Sequence, residues 1–298
     1  MTRHELREPD RLAFEGVHRL KVVSTAGKVD VVGVGEDGAA VVDVTRIKGD
    51  EPVVVEDEDG QLTVRHGEFK PNVLGWLMHG RKIEADISIQ VPPDCLVDVT
   101  VVSGPLVVSN LHERTRVQGV SGEITLAQLH GPTDVKTVSG PITAESVTDD
   151  LSAHTVSGAI TVIALGAGTT IKAGTTSGAI TVDLEDGSDA PRLDLNVVSG
   201  AVIVRAPEDA NLDVDMSTMS GRTVTTFDGL QDHARFGNRQ IPFAKPRQLS
   251  GRLGTGAGRL RARAVSGDMT LLRRAVDPDL KHLGADDVSG HDAAGEDL

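Results

Sequence analysis

The sequence has very few aromatic residues and almost no cysteine. Among its 298 residues there is no tyrosine, a single tryptophan (Trp76), five phenylalanines and one cysteine, Cys95. One cysteine can form neither an intrachain disulfide nor a thiolate metal cluster. Hydrophobic residues still make up 39% of the chain, so the core must be aliphatic and largely β-branched. Such a composition favours strands over helices.

Long apolar runs are also missing. The first residues are charged from the start and lack the apolar run of about 7 to 15 residues that a secretory signal needs. No stretch approaches the roughly 18 uninterrupted apolar residues of a membrane-spanning helix. We therefore expect a protein of the cytoplasm, a reducing compartment.

The net charge of −14 is unevenly distributed along the chain. Between Arg235 and Arg274 the sequence has many basic residues and one acidic residue, Asp268. An acidic chain repels nucleic acid, so binding to nucleic acid or to another anionic surface would depend on this basic segment. The candidates that we select there for an interaction are Arg235, Arg239, Arg247, Arg252 and Arg259.

Residues 17–95 have the pattern of short strands separated by turns. Apolar and polar residues alternate from Ile83 to Val91, which is the period of a half-buried strand. The pair Pro92-Pro93 then ends that strand, because proline cannot donate a ladder hydrogen bond. We predict an antiparallel β lead-in or cap over residues 17–95, preceded by an N-terminal arm over residues 1–16.

A Ser-Gly pair then recurs every 18 to 22 residues up to Ser220, and again at Ser250 and Ser266. Aliphatic residues recur one residue before each serine, four before it, and three and five after it, as in Val138, Val135, Ile142 and Ala144. This self-similarity predicts an all-β fold, a parallel β-solenoid over residues 96–274 with about seven or eight rungs, in which the aliphatic columns stack.

We interpret the repeated Ser-Gly pairs as structural. A nucleophilic serine needs a base and an orienting acid around one residue, whereas here the same serine is present in every repeat. Glycine is expected at a tight corner where a Cβ would clash or φ is positive. The pairs are Ser103-Gly104, Ser121-Gly122, Ser139-Gly140, Ser157-Gly158, Ser177-Gly178, Ser199-Gly200 and Ser220-Gly221.

The period breaks near the C-terminus. The stretch at about 227–248 contains several Phe and Pro residues without strand alternation, and we predict an insertion there. The sequence after it predicts a last rung or an edge-capping strand. Residues 275–298 are acidic with few large apolar residues, which predicts a disordered tail.

These motifs resemble those of the bacterial "putative adhesin" domain-of-unknown-function family. The resemblance covers residues 17–274 and depends on "STAGKVDVVG", the Ser-Gly repeats and the closing "GTGAGRLRARAVSGDMTL". It implies a β-helix without an established catalytic activity, often linked with the bacterial cell envelope or its stress response.

Two motifs suggest chemistry but lack essential parts. The glycines of "GVGEDG" (residues 33–38) follow a strand, yet a dinucleotide site needs a helix N-terminus next, and another strand pattern follows. His112 and His130 both lie nine residues after a repeat serine and should stack about 5 Å apart. The following repeats supply no third ligand, so we predict neither a metal nor a cofactor.

The segment "FKPNVLGWLMHGRK" is the second interaction candidate, through Phe69, Leu74, Trp76, Leu77 and Met78. It either covers the open end of the solenoid core or forms an exposed apolar tip for a protein partner or a membrane surface.

The sequence favours a non-catalytic scaffold or protein-interaction module whose partner it does not identify. A β-helix enzyme acting on an acidic polysaccharide, and a binder of anionic surfaces or nucleic acid through residues 235–274, are the alternatives. Exposed edge strands would also allow a homo-oligomer.

Overall fold

A computed structural model describes residues 2–34, 39–67, 83–165, 168–186, 190–234 and 246–274. These residues form strands, turns and bends, and none of their segments is a helix able to cross a membrane. The strands are β1 Thr2–Leu6, β2 Asp10–Glu15, β3 Arg19–Ala26, β4 Val29–Gly33, β5 Ala39–Lys48, β6 Val53–Glu58, β7 Gln61–His66, β8 Glu84–Val91, β9 Leu96–Ser103, β10 Leu106–Leu111, β11 Thr115–Ser121, β12 Ile124–Leu129, β13 Thr133–Ser139, β14 Ile142–Val147, β15 Leu151–Ser157, β16 Ile160–Ala164, β17 Thr170–Ser177, β18 Ile180–Leu184, β19 Arg192–Ser199, β20 Val202–Ala206, β21 Leu212–Ser220, β22 Thr223–Thr225, β23 Gln231–Ala234, β24 Arg247–Leu253, β25 Gly258–Ser266 and β26 Met269–Arg273.

The strands form two sheets. The first, sheet A, has 14 strands in the order β1-β6-β7-β3-β9-β11-β13-β15-β17-β19-β25-β21-β24-β23. The second, sheet B, has 12 strands in the order β2-β5-β8-β4-β10-β12-β14-β16-β18-β20-β26-β22. One rung consists of a strand of sheet A, a Ser-Gly corner and a strand of sheet B. The predicted all-β parallel solenoid is confirmed.

The core lies between the two sheets and is aliphatic. The columns four residues before each serine and three and five residues after it are buried, as at Val135, Ile142 and Ala144. Neighbouring rungs pair in parallel with like residues opposite each other, for example Val135 with Ala153 and Ile142 with Ile160. The side chains of a strand alternate between its two faces, and like residues of neighbouring rungs lie opposite each other, so every member of one of these columns lies on the inner face.

The lead-in differs in part from the predicted antiparallel segment. It contains antiparallel pairs, such as β6 with β7 and β5 with β8, but β3 and β4 pair in parallel with β9 and β10. The solenoid therefore begins near Arg19, because Leu20 and Val22 continue the buried column of Val97 and Val99. Residues of the predicted arm form β1 and β2, which pair with β6 and β5.

The order of the last rungs differs from the order of the sequence. The rung of β25 and β26 lies between that of β19 and β20 and that of β21 and β22. Main-chain hydrogen bonds confirm this order, since Gly200 N–H donates to Ser266 at 2.9 Å and Gly267 N–H donates to Ser220 at 2.8 Å. The prediction of a last rung or capping strand there was wrong, because β25 fills an interior position.

Ser250 is not a corner serine. It lies in β24, which runs antiparallel to β21 and places Ser250 opposite Asp215. Its assignment to the repeat was therefore wrong, since a reversed strand cannot continue a parallel rung. Within the predicted insertion, β23 pairs with β24; residues 235–245 lie outside the described residues, as does the predicted tail at 275–298.

His66 is fully buried at the end of β7, with no hydrogen-bond partner for either ring nitrogen among the described residues. Burial lowers its pKa below the ordinary value of 6.5, and the nearby negative charge of Glu51 opposes this shift in part. His66 therefore binds a proton less readily in the folded state than in the unfolded state, and this difference makes the free energy of unfolding depend on pH.

We expect the free energy of unfolding to fall as the pH drops below 6.5, because the unfolded chain then binds a proton that folded His66 resists. The contribution of one such group is at most about 1.4 kcal/mol per pH unit. Denaturant unfolding of the wild type and of His66→Leu at pH 7 and pH 5 measures it, with exposed His154→Gln as control. An equal pH dependence in the wild type and His66→Leu would contradict this assignment.

Candidate interaction surface

The Ser-Gly corners are joined by a ladder of main-chain hydrogen bonds. Gly104 N–H donates to the carbonyl of Ser121 at 3.1 Å, and Gly140 N–H donates to that of Ser157 at 3.0 Å. The serines lie in register, with Ser121 between Ser103 and Ser139. The ladder therefore continues through the turn from sheet A to sheet B and uses the serine main chain.

The corner also explains the glycine. Gly122 and Gly140 have φ angles of 131° and 129°, in a region that residues with a Cβ rarely adopt. A Cβ on Gly140 would overlap the carbonyl oxygen of Gly122, and one on Gly122 that of Gly104. Successive backbones thus come closer at this corner than any side chain allows.

The aliphatic column one residue before each serine is exposed, contrary to its expected place in the stacked core. Val138, Val156 and Val198 have relative exposures of 51%, 53% and 49%. The reason is parity, because these residues are three positions after the buried column and point to the opposite face of the strand. They form a ridge along the corner that is apolar except for one threonine and consists of Val120, Val138, Val156, Thr176, Val198, Val265 and Met219 in spatial order.

The outer face of sheet A beside this ridge is rich in basic residues. Basic strand residues outnumber acidic ones there, although the chain as a whole is acidic. From β3 to β24 in the order of the sheet, the outward basic residues are Arg19, Lys21, Arg116, Lys136, Lys172, Arg192, Arg252, Arg259, Arg261 and Arg263, and the acidic ones are Asp98, Asp134, Asp194, Asp213 and Asp215.

A groove of about 610 Å³ lies between the ridge and this face. It crosses the rungs of β15, β17, β19, β25 and β21. None of its described lining residues is acidic. They are His154, Thr155, Gly174, Thr175, Thr176, Asn196, Val197, Val198, Ser217, Thr218, Met219, Pro246, Arg247, Arg263, Ala264 and Val265.

Gly174 and Arg263 give the groove its shape and charge. Gly174 makes room for the His154 ring, since a Cβ there would lie 2.7 Å from His154 Nδ1. Arg263 lies between Asn196 and Ser217 on the two neighbouring strands. Within the described part of the chain it forms no ion pair, whereas Arg247 at the end of the groove is bound to Asp232 at 2.6 Å.

The match to a known family follows this architecture. A family model described as "Toastrack DUF4097" matches residues 19–272, which are the residues from β3 to β26. The chain belongs to this family. The resemblance to the "putative adhesin" family is thereby confirmed, and the Toastrack match begins at the first parallel rung.

The solved structures that match this chain include three from bacteria. A putative cell adhesion protein from Clostridium sporogenes is 11% identical over 90% of this chain and 100% of its own, with a TM-score of 0.26. Putative adhesins from Bacteroides fragilis and Parabacteroides distasonis are 11% and 10% identical, cover 90% and 89% of this chain and 98% and 96% of their own, and have TM-scores of 0.35 and 0.39. No curated protein matches the sequence.

Three of the arginines that we selected from the sequence of this Toastrack protein, Arg247, Arg252 and Arg259, belong to the described residues, and they lie at the C-terminal end of the solenoid. Arg252 and Arg259 are exposed on the outer face of sheet A, each opposite Asp213, and Arg247 lines the groove. Arg235 and Arg239 lie outside the described residues, and so do Phe69, Leu74, Trp76, Leu77 and Met78. These residues stay predictions.

His112 and His130 stack in adjacent rungs with ring centroids 5.2 Å apart, as the repeat spacing predicts. Their Nδ1 atoms contact Asp94 Oδ1 at 3.2 Å and Thr148 Oγ1 at 3.0 Å, respectively. In the described ranges no group of three or more His, Cys, Asp or Glu residues could hold a metal ion. Burial raises the pKa of the Cys95 thiol to about 12, so this cysteine is a poor nucleophile.

Sequence reasoning missed the groove and Arg263. The signal for Arg263 was available, because it lies three residues before Ser266 and thus has the outward parity of the ridge. The groove itself could not be predicted from the sequence. It depends on β25 lying between β19 and β21, and the repeat spacing does not give this order of strands.

We expect Gly140→Ala to lower the free energy of unfolding by about 3 kcal/mol or more, because backbone strain adds to overlap with the Gly122 carbonyl. Gly229→Ala is the matched control, since Gly229 has a φ of 82° and no atom lies within 4 Å of the position that a Cβ would occupy. Urea unfolding measures both. Equal losses in the two variants would show that the close approach at the corner is unimportant.

We expect Val138→Ser to change stability by less than about 0.5 kcal/mol, as for other surface residues. Val135→Ser, three residues earlier in the same strand, should cost about 3 kcal/mol because it leaves a cavity and a buried hydroxyl. Thermal and urea unfolding compare the two. A similar loss in both variants would mean that the ridge supports the fold and is not a free surface.

Proposed function

We propose that the protein is a non-catalytic interaction module that binds a protein partner along the ridge and groove of sheet A. The observation that carries the proposal is the exposed row of aliphatic side chains at the Ser-Gly corner. Exposed apolar patches that line up on a soluble protein are typical of interaction sites. Burial of half-exposed valines by a partner would be favourable at about 25 cal/mol per Å² of apolar surface.

The distribution of potential catalytic groups supports a module without enzymatic activity. The His112 and His130 pair precedes β11 and β13, whereas the corner serines end these strands. A strand of this length separates the two groups by roughly 20 Å. The imidazoles of this pair therefore cannot activate the corner serines, which are the same in every rung.

Nucleic acid is a poor fit to sheet A. The basic residues are interrupted by acids within the same columns; Arg261, for example, lies between Asp194 and Asp215. The Nε of Arg261 is 4.0 Å from Asp215 Oδ2. A nucleic-acid backbone needs a continuous series of unpaired cations, and acids at these positions oppose it.

The cellular context forms part of this proposal. A role connected with the bacterial cell envelope or its stress response is supported by the family resemblance alone. Cytoplasmic localisation and homo-oligomerisation stay predictions.

We expect a double variant, Val156→Asp with Val198→Asp, to lose cross-linking to the partner in an extract of the source organism while its melting temperature changes by less than about 3 °C. Cross-linking mass spectrometry provides the contact sites. The control is Thr161→Asp with Thr181→Asp, which adds the same charge to the outer face of sheet B, where both threonines are half-buried.

A panel of acidic glycans tests the competing function, and we expect no turnover above the rate of heat-inactivated protein. Turnover that one carboxylate or serine substitution abolishes without unfolding would overturn the proposal. Loss of the partner only in the threonine variant would place the interaction on the other sheet and would also contradict it.

A further inference from the structure

We infer that the groove of sheet A binds an extended, acidic peptide segment of the partner, with a carboxylate on Arg263 and aliphatic side chains against the ridge. This inference rests on the proposed function and adds the chemistry of the ligand to it.

The dimensions of the groove fit an extended peptide. It crosses five neighbouring strands from β15 to β21, and the four steps between them span about 19 Å at the usual strand spacing. An extended chain advances about 3.3 Å per residue, so roughly six residues fill that length. A volume of 610 Å³ accommodates a segment of this size only with part of it in solvent.

One wall of the groove is apolar. Val198, Val265 and Met219 have relative exposures of 49%, 50% and 44% and line the groove on the corner side. The floor includes Gly174, which has no side chain, the almost fully buried Ala264 and the small residue Ser217. A ligand therefore needs aliphatic groups on one side and a backbone that comes close to the floor.

The charge of the groove selects a carboxylate. Arg263 and Arg261 are two residues apart on β25 and face the same neighbouring strands, but Arg261 has Asp194 and Asp215 beside it whereas Arg263 has Asn196 and Ser217. The guanidinium of Arg263 thus keeps its charge uncompensated within the described residues. A guanidinium binds a carboxylate through two parallel hydrogen bonds.

Other anionic ligands fit less well. The described lining has no phenylalanine, tyrosine or tryptophan ring on which a sugar or a base could stack; its one aromatic ring is the small imidazole of His154, which lies against Gly174. A polyphosphate needs several free cations, and the Arg247 guanidinium is already bound to Asp232. A peptide in which carboxylates alternate with aliphatic side chains offers a carboxylate to Arg263, the single free guanidinium of the described lining, and apolar groups to the wall.

Fluorescence anisotropy of the full chain with a labelled ten-residue peptide, in which aspartate alternates with valine, tests this inference. We expect binding to weaken by at least about tenfold in Arg263→Gln, the loss for a charged hydrogen-bonded pair. Arg263→Lys should retain part of the affinity, because it keeps the charge but not the paired hydrogen bonds. Gly174→Val should weaken binding, because the valine side chain and the His154 ring that it displaces would take up space in the groove.

The matched control is Arg116→Gln, which removes an exposed arginine of the same sheet outside the groove, and we expect it to bind like the wild type. A second peptide with lysine in place of each aspartate should not bind. Equal binding of both peptides, or equal affinity of Arg263→Gln and the wild type, would overturn the inference.

The two proposals can fail separately. If neither peptide binds while the Val156→Asp and Val198→Asp variant still loses the partner, the acidic ligand is wrong and the interaction module stands. If that valine variant keeps the partner, the proposed function itself fails.

Discussion

At each corner the glycine N–H donates to the serine carbonyl of the next rung, and the glycine backbones approach too closely for a side chain. This contact fixes the distance between neighbouring rungs and keeps their equivalent residues in register. The aliphatic columns of both sheets follow from it, because a fixed corner fixes the parity of the residues on either side. A side chain is inward or outward according to its distance from the glycine.

The same constraint gives the repeat two different roles. Inward positions such as Val135 and Ile142 form the core, and the space between the sheets limits which side chains fit at these positions. Outward positions are free of this limit, yet the position before serine is aliphatic in most rungs. A buried core does not require that choice, and the proposed function assigns the ridge to contact with a partner.

The sequence was sufficient for the solenoid but not for its surface or its rung order. Repeat spacing identified the buried columns and the stacking of His112 on His130, because these depend on position within one repeat. Val138 was misplaced, since an aliphatic residue in a column was assumed to face the core, although its odd spacing from Val135 already indicated the other face. The position of Ser266 between Ser199 and Ser220 depends on strand pairing across the insertion, which no spacing encodes. The neighbours of Arg263, and hence the groove, follow from that pairing.

The interior position of β25 and β26 has a consequence for synthesis of the protein on the ribosome. A solenoid in sequence order can add each rung to the end of the previous one as the chain emerges. Here β21 and β22 are synthesised before β25 and β26, which lie between them and the rung of β19 and β20 in the folded protein. The native pairing of these rungs therefore cannot form until residues 258–273 have been made. Until then the nascent chain has an open slot with unpaired strand edges on both sides, and another chain could fill it. Completion of the fold, and of the groove that β25 helps to form, must therefore wait until residues 258–273 have emerged from the ribosome.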